Sequence, residues 1–186
     1  MVTSILFVCT VNRFRSVVAE YFFRKMLEER NRRLSKKIEV SSAGIKTEEA
    51  KQMAEEYDWG AWPTIEGVPD EVVAFMQKRG MDLSRHQPRE LNSGMLEGAG
   101  LVITMEDYHK KEILNLDPST EGKVFTLREF VKNCRYFHAE GPICQFSLEY
   151  IDTVINQIEA CLSEGMNRFL YYLDEEIQRP NCRQEE

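Results

Sequence analysis

The sequence predicts an α/β fold of three layers, αβα, around a central parallel sheet of four strands, and three observations carry that prediction. Short segments at 5–8, 38–41, 101–104 and 124–126 suit strands, and the continuous bulky run at 5–8 suits one covered on both faces. The stretches between and after them place apolar residues at helical spacing. Strand and helix therefore alternate, and that alternation is what a parallel sheet with helices on both faces requires.

The first strand is Ile5, Leu6, Phe7 and Val8, ending at Cys9. From Arg15 the period changes: Val18, Phe22 and Met26 recur every four residues beside Ala19, Phe23 and Leu27, which makes an apolar helical stripe. The second strand is followed by Ala43 and Gly44, where the chain turns out of the sheet. Pro69, Asp70 and Glu71 suit a first helical turn, Val72, Val73, Phe75 and Met76 supply its apolar side, and Gly80 terminates it. A further helix over 107–114 joins the third and fourth strands. The last helix starts near Ser147, which suits an N-cap, and carries Ile151, Ile155, Ile158, Leu162, Met166, Phe169, Leu170 and Leu173. Gly165 falls inside it and is expected to bend or interrupt it, because glycine costs about 1 kcal/mol in a helix interior. One domain over 1–178 and a polar, frayed tail over 179–186 complete the organisation.

Hydrophobic residues at 42% and charged residues at 30% describe a chain with a packed core rather than a disordered one. The net charge of -7 argues against nucleic acid as a partner, since neutralising phosphates takes a concentrated basic surface. The basic stretch from Arg24 to Lys37 includes Glu28 and Glu29 and reads as a solvated helix face and loop. No apolar run approaches the roughly 20 residues that span a bilayer, and the first residues lack a basic leader, so neither membrane nor secretion is expected. Cys9, Cys134, Cys144, Cys161 and Cys182 are odd in number and scattered, without the spacing of a disulfide framework or a zinc site. That pattern fits a reducing cytoplasm, with no metal and no cofactor.

The segment VCTVNRFRSVVAE carries the chemistry. Cys9 stands just past a buried strand, Arg15 six positions later at the start of a helix, and Ser16 directly after it. A short loop over a helix N-terminus aims several backbone N–H groups at one point, and the helix dipole adds positive potential there. Thr10, Val11, Asn12, Arg13, Phe14, Arg15 and Ser16 thus form a phosphate-binding loop at the N-terminal end of the fold. The same field favours a thiolate at Cys9, which makes it a nucleophile. Ser16 is placed to donate to that sulfur, and the planar fork of Arg15 suits two phosphoryl oxygens.

CTVNRFRS resembles the signature of the low-molecular-weight protein tyrosine phosphatases, a cysteine, five residues and an arginine, with an internal asparagine and a following serine. VSSAG at 40–44, DLSRHQPREL at 82–91, LVITMEDYHKKEI at 101–113 and SLEY at 147–150 resemble further stretches of that family in its order. The resemblance implies Cys9 as a nucleophile that becomes phosphocysteine, Arg15 as transition-state clamp, and Asn12 as the residue holding a strained turn. It further implies that Ser42 and His86 brace Asn12.

Several positions depart from the family pattern. Its general acid is an aspartate before a proline, where this chain reads Glu140, Gly141, Pro142, so Glu140 is the candidate acid. Val11 replaces a common glycine, Arg13 a usually uncharged residue, and Phe14 a cysteine that often protects the nucleophile through a reversible disulfide. Ile143 and Cys144 stand where aromatic residues often flank the substrate ring. The segment 45–67 reads as an insertion, with Tyr57, Trp59 and Trp62 either lining a pocket or covering its own apolar edge.

The expected activity is hydrolysis of phosphotyrosine or another aryl phosphate, on a protein or a small molecule, with inorganic phosphate or another oxyanion as ligand. The alternative is a catalytically impaired member of the same fold that binds phosphate or phosphoproteins. An arsenate reductase needs a cysteine relay, and no cysteine lies between Cys9 and Cys134. A phosphoarginine phosphatase is expected to have a small residue where Arg13 stands.

Overall fold

In the computed structural model four strands join one all-parallel sheet, in the order β2-β1-β3-β4, with β1 Thr3–Cys9, β2 Ile38–Gly44, β3 Leu101–Thr104 and β4 Val124–Thr126. The structure describes residues 3–30, 32–46, 67–132 and 147–178, with Gln52 and Cys134 as isolated positions. Strand β1 is interior. It pairs with β2 from Thr3 opposite Ile38 to Cys9 opposite Gly44, and with β3 from Ile5 opposite Leu101 to Val8 opposite Thr104. A strand with neighbours on both sides and helices on both faces has no polar side to show, which explains its unbroken apolar run.

The helices are α1 Arg15–Arg30, α2 Arg32–Ser35, α3 Asp70–Gln77, α4 Ser93–Gly98, α5 Asp107–Leu116, α6 Leu127–Phe130 and α7 Leu148–Gln178. Alternate residues of β1 feed two cores. Ile5 and Phe7 pack with Phe22 and Phe23 of α1, Val72 of α3, and Ile155 and Phe169 of α7, whereas Leu6 and Val8 pack with Leu96 of α4 and Ile113 of α5. Period two in the strand thus divides the helices into two layers. Phe23 meets both Phe7 and Phe169 edge to face, with centroids 5.6 and 5.1 Å away. Truncating a buried ring of this kind to alanine costs about 3–5 kcal/mol.

Short helices α4 and α6 were not expected from periodicity, and capping explains them. Asn92 accepts from the Met95 N–H at the start of α4, and Thr126 with Glu129 forms a reciprocal capping box at the start of α6.

Two expectations are corrected. Helix α7 runs without interruption through Gly165. A Cβ there would lie 2.4 Å from Val131 Cγ2, so the glycine permits a close approach rather than a bend. Cys134 and Cys161 form a disulfide with Cα atoms 5.1 Å apart across 27 residues of sequence. Spacing could not disclose it, because the pairing depends on Cys134 meeting α7 in space.

No helix among the described residues is long and apolar enough to cross a membrane. Glu140, Gly141, Pro142, Ile143 and Cys144, the aromatics Tyr57, Trp59 and Trp62, and the tail 179–186 lie outside the described residues.

Candidate active site

Parallel strands place their C-terminal ends on one edge, and there the chain leaves Cys9, Gly44 and Thr104 side by side. From Cys9 the loop turns back into α1, which begins at Arg15. Turning so tightly puts Asn12 at φ 54°, the one positive φ at a non-glycine among the described residues. Asparagine visits this region more readily than most residues. Gly44 lets β2 approach from the other side: a Cβ there would lie 2.9 Å from Thr10 O and Val11 C. Those are backbone atoms, which cannot rotate away.

Asn12 is held by all of its amide atoms. Its Oδ1 accepts from the Arg89 backbone N–H at 2.9 Å and from His86 Nε2 at 3.0 Å, and its Nδ2 donates to Ser42 Oγ at 2.7 Å and Ser16 Oγ at 3.0 Å. Ser42 passes its own hydrogen to Glu20 Oε2 at 2.5 Å. Glu20 is buried and ion-paired to Arg24 at 2.7 Å and Arg89 at 3.2 Å. Burial, reinforced by the Arg89 charge, lowers the His86 pKa to about 4. The imidazole is therefore neutral at pH 7, and because it faces an acceptor its hydrogen sits on Nε2.

Cys9 is buried and unpaired, with Sγ 3.0 Å from Ser16 Oγ. Since Asn12 donates to Ser16, the serine hydrogen is available to the sulfur. Arg15 points its NH1 at Glu106 Oε1, 2.7 Å away, and its NH2 at Thr10 Oγ1, 3.2 Å away. Both charges of this pair are buried, so removing one would strand the other at high cost.

The structure brings Cys9, Thr10, Asn12, Arg15, Ser16, Ser42 and His86 together. Phe14 instead packs into the core beside α1. Arg13 is only 8% exposed and donates from Nε to the Gly67 carbonyl at 2.6 Å, tying the loop to the end of the 45–67 segment. A cleft of about 160 Å³ opens beside the loop, lined by Thr10, Val11, Arg13, Gly44, Lys46, Pro88, Arg89 and Glu90. Among the described residues no cluster of His, Cys, Asp and Glu is arranged to hold a metal.

Sequence reasoning missed Glu20, Arg89, Glu106 and His109. A signal existed for Glu20, a carboxylate one helical turn after Ser16 on the buried stripe of α1. Glu106 follows a fully buried strand by two residues, a position where a charge needs a partner.

Comparison with known proteins places these features in a family. The family model described as "Low molecular weight phosphotyrosine protein phosphatase" matches residues 4–58 and 59–179. The "Protein-arginine-phosphatase" of Bacillus subtilis is 32% identical over 68% of this chain and 71% of its own length. The "Probable low molecular weight protein-tyrosine-phosphatase EpsP" of Ralstonia solanacearum is 30% identical over 69% of this chain and 73% of its own. The crystal structure of the low molecular weight protein tyrosine phosphatase from T. tengcongensis superposes with a TM-score of 0.68 at 28% identity, covering 89% of this chain and 99% of that one. With its parallel sheet, its cysteine loop and these matches, the chain belongs to the low-molecular-weight phosphotyrosine protein phosphatase family of hydrolases.

Proposed function

We propose that the protein hydrolyses aryl phosphate monoesters, phosphotyrosine in proteins above all, through a cysteinyl-phosphate intermediate. The observation that carries this reading is Cys9 Sγ at 3.0 Å from Ser16 Oγ on the first turn of α1, within the loop that Asn12 holds and beside an Arg15 fixed by Glu106. The Cys9 thiolate attacks phosphorus while the bond from phosphorus to the phenolic oxygen breaks, and the leaving oxygen takes a proton from a general acid, for which Glu140 is our candidate. Water then attacks phosphorus, giving a proton to the carboxylate left by the first step, the bond to sulfur breaks, and phosphate leaves with the thiolate and the general acid restored. Backbone N–H groups of 10–15 and the Arg15 guanidinium neutralise the equatorial oxygens in both steps. Ser42 and His86 act through Asn12, keeping the loop in its strained form.

Arg13 favours an aryl ester over a phosphoguanidine, because a second guanidinium brought to the loop would meet its charge. The test is steady-state hydrolysis of para-nitrophenyl phosphate, a phosphotyrosine peptide and phosphoarginine by wild type, Cys9→Ser, Arg15→Lys and Glu140→Gln. Wild type is expected to turn over both aryl substrates, Cys9→Ser neither, and Glu140→Gln is expected to lose about 10²–10⁴ on the peptide while sparing the better leaving group. Slow turnover of para-nitrophenyl phosphate alone, unaffected at Glu140, would remove that acid from the mechanism. Absence of turnover with phosphate still raising the melting temperature would replace the enzyme by a phosphate-binding protein.

A further inference from the structure

His109, on the first turn of α5, is fully buried beside the loop, and the proposed chemistry gives it no task. Its two ring nitrogens face partners of opposite kind. Nδ1 lies 3.1 Å from the Glu106 backbone N–H, which only donates, so Nδ1 is the acceptor and carries no hydrogen. The hydrogen of the neutral ring is then on Nε2 and points at Thr10 Oγ1, 2.9 Å away. Burial and the neighbouring Arg15 charge hold the ring well below the usual histidine pKa, so this polarity persists through the working range.

Thr10 Oγ1 receives a second hydrogen from Arg15 NH2 at 3.2 Å. Both of its acceptor positions are thereby filled, and its own hydrogen has the Tyr108 hydroxyl, 3.4 Å away, within reach. Glu106 closes the circuit. Its backbone orients the imidazole and its carboxylate holds Arg15 NH1 at 2.7 Å, so one residue fixes both ends of the guanidinium edge, one directly and one through His109 and Thr10.

We infer that His109 is a positioning residue that sets the orientation of the Arg15 guanidinium by donating to Thr10, and that Thr10 is the relay. This rests on the reading of Arg15 as the clamp on the phosphoryl group. A merely structural role is also defined by the geometry, since His109 is the third residue of the α5 capping box. Thr10→Val separates the two: it is nearly isosteric, removes the relay oxygen, and leaves the cap intact.

The experiment measures kcat and KM with para-nitrophenyl phosphate, and the Kd of phosphate and of vanadate by calorimetry, for wild type, Thr10→Val, His109→Leu, His109→Gln and the Thr10→Val/His109→Leu pair. Vanadate adopts the five-coordinate shape of the transferring phosphoryl group and reports on the clamp without turnover. Thr10→Val and His109→Leu are each expected to lower kcat and weaken vanadate about tenfold, the scale of one hydrogen bond to a charged group, with KM and phosphate affinity changed about twofold or less. The pair should be no worse than the worse single variant. Glutamine at 109 keeps one acceptor and one donor at similar spacing and should return within about threefold of wild type. Wild-type kcat and vanadate affinity in Thr10→Val would overturn the inference, and so would additive losses in the pair. If His109→Leu does not fold, Thr10→Val and His109→Gln decide. If wild type fails to hydrolyse the ester, the proposed function falls, while the vanadate-to-phosphate ratio still decides the positioning role.

Discussion

Replacing Asn12 should damage the loop in two separable ways, and a pair of substitutions measures both. Asn12→Gly removes four side-chain hydrogen bonds but accepts φ 54° without strain. Of the four partners, Ser16 and Ser42 keep other contacts, Cys9 and Glu20 respectively, whereas the Arg89 N–H and His86 Nε2 lose an acceptor in a part-buried or buried setting. Two such orphans at about 1–3 kcal/mol each place the loss near 2–4 kcal/mol once local water relieves part of it. Asn12→Ala adds the left-handed penalty of about 1–2 kcal/mol, offset by the roughly 0.5–1 kcal/mol that glycine loses in conformational freedom. Alanine should therefore be the worse variant by about half to one kcal/mol. Urea unfolding followed by circular dichroism at pH 7 measures both differences. If Asn12→Ala lies within about 0.5 kcal/mol of wild type, the network is not a restraint on the loop and the reasoning fails.

Three further outcomes follow from the same geometry. His86 takes a proton below the ordinary histidine value of 6.5 in the unfolded chain but only below about 4 when folded, so stability should fall as pH drops from about 6.5 towards 4 and level off below it. The loss is at most about 3.4 kcal/mol, and His86→Gln should flatten that part of the pH profile while keeping a donor for Asn12. Gly44→Ala forces a Cβ against the loop backbone, which should cost about 1–3 kcal/mol, and calorimetry should find phosphate affinity falling more steeply than stability. Reducing the Cys134 to Cys161 bond frees a 27-residue span and should lower unfolding free energy by about 3.5 kcal/mol. Unchanged urea midpoints with and without reductant would refute that last expectation.

What the sequence by itself determined is whatever depends on neighbours along the chain. Ile5 to Val8 specified a doubly covered strand, the Val18, Phe22 and Met26 stripe specified the helix after it, and the junction between them placed Cys9, Arg15 and Ser16 on one short loop. Strand, turn and helix are governed by local sterics and period, so a local pattern discloses them. The tertiary structure alone decided which distant groups complete the loop. Glu106 lies 91 residues from Arg15, His109 lies 99 from Thr10, and Arg89 lies 69 from Glu20. Each is polar in a segment that reads as an ordinary surface turn or helix start, and each meets its distant partner because parallel strands bring their C-terminal ends to a single edge. The same holds for Gly165 against Val131 and for Cys134 with Cys161. Hydrogen-bond direction and close packing act over a few ångströms of space, and separation along the chain carries no record of them.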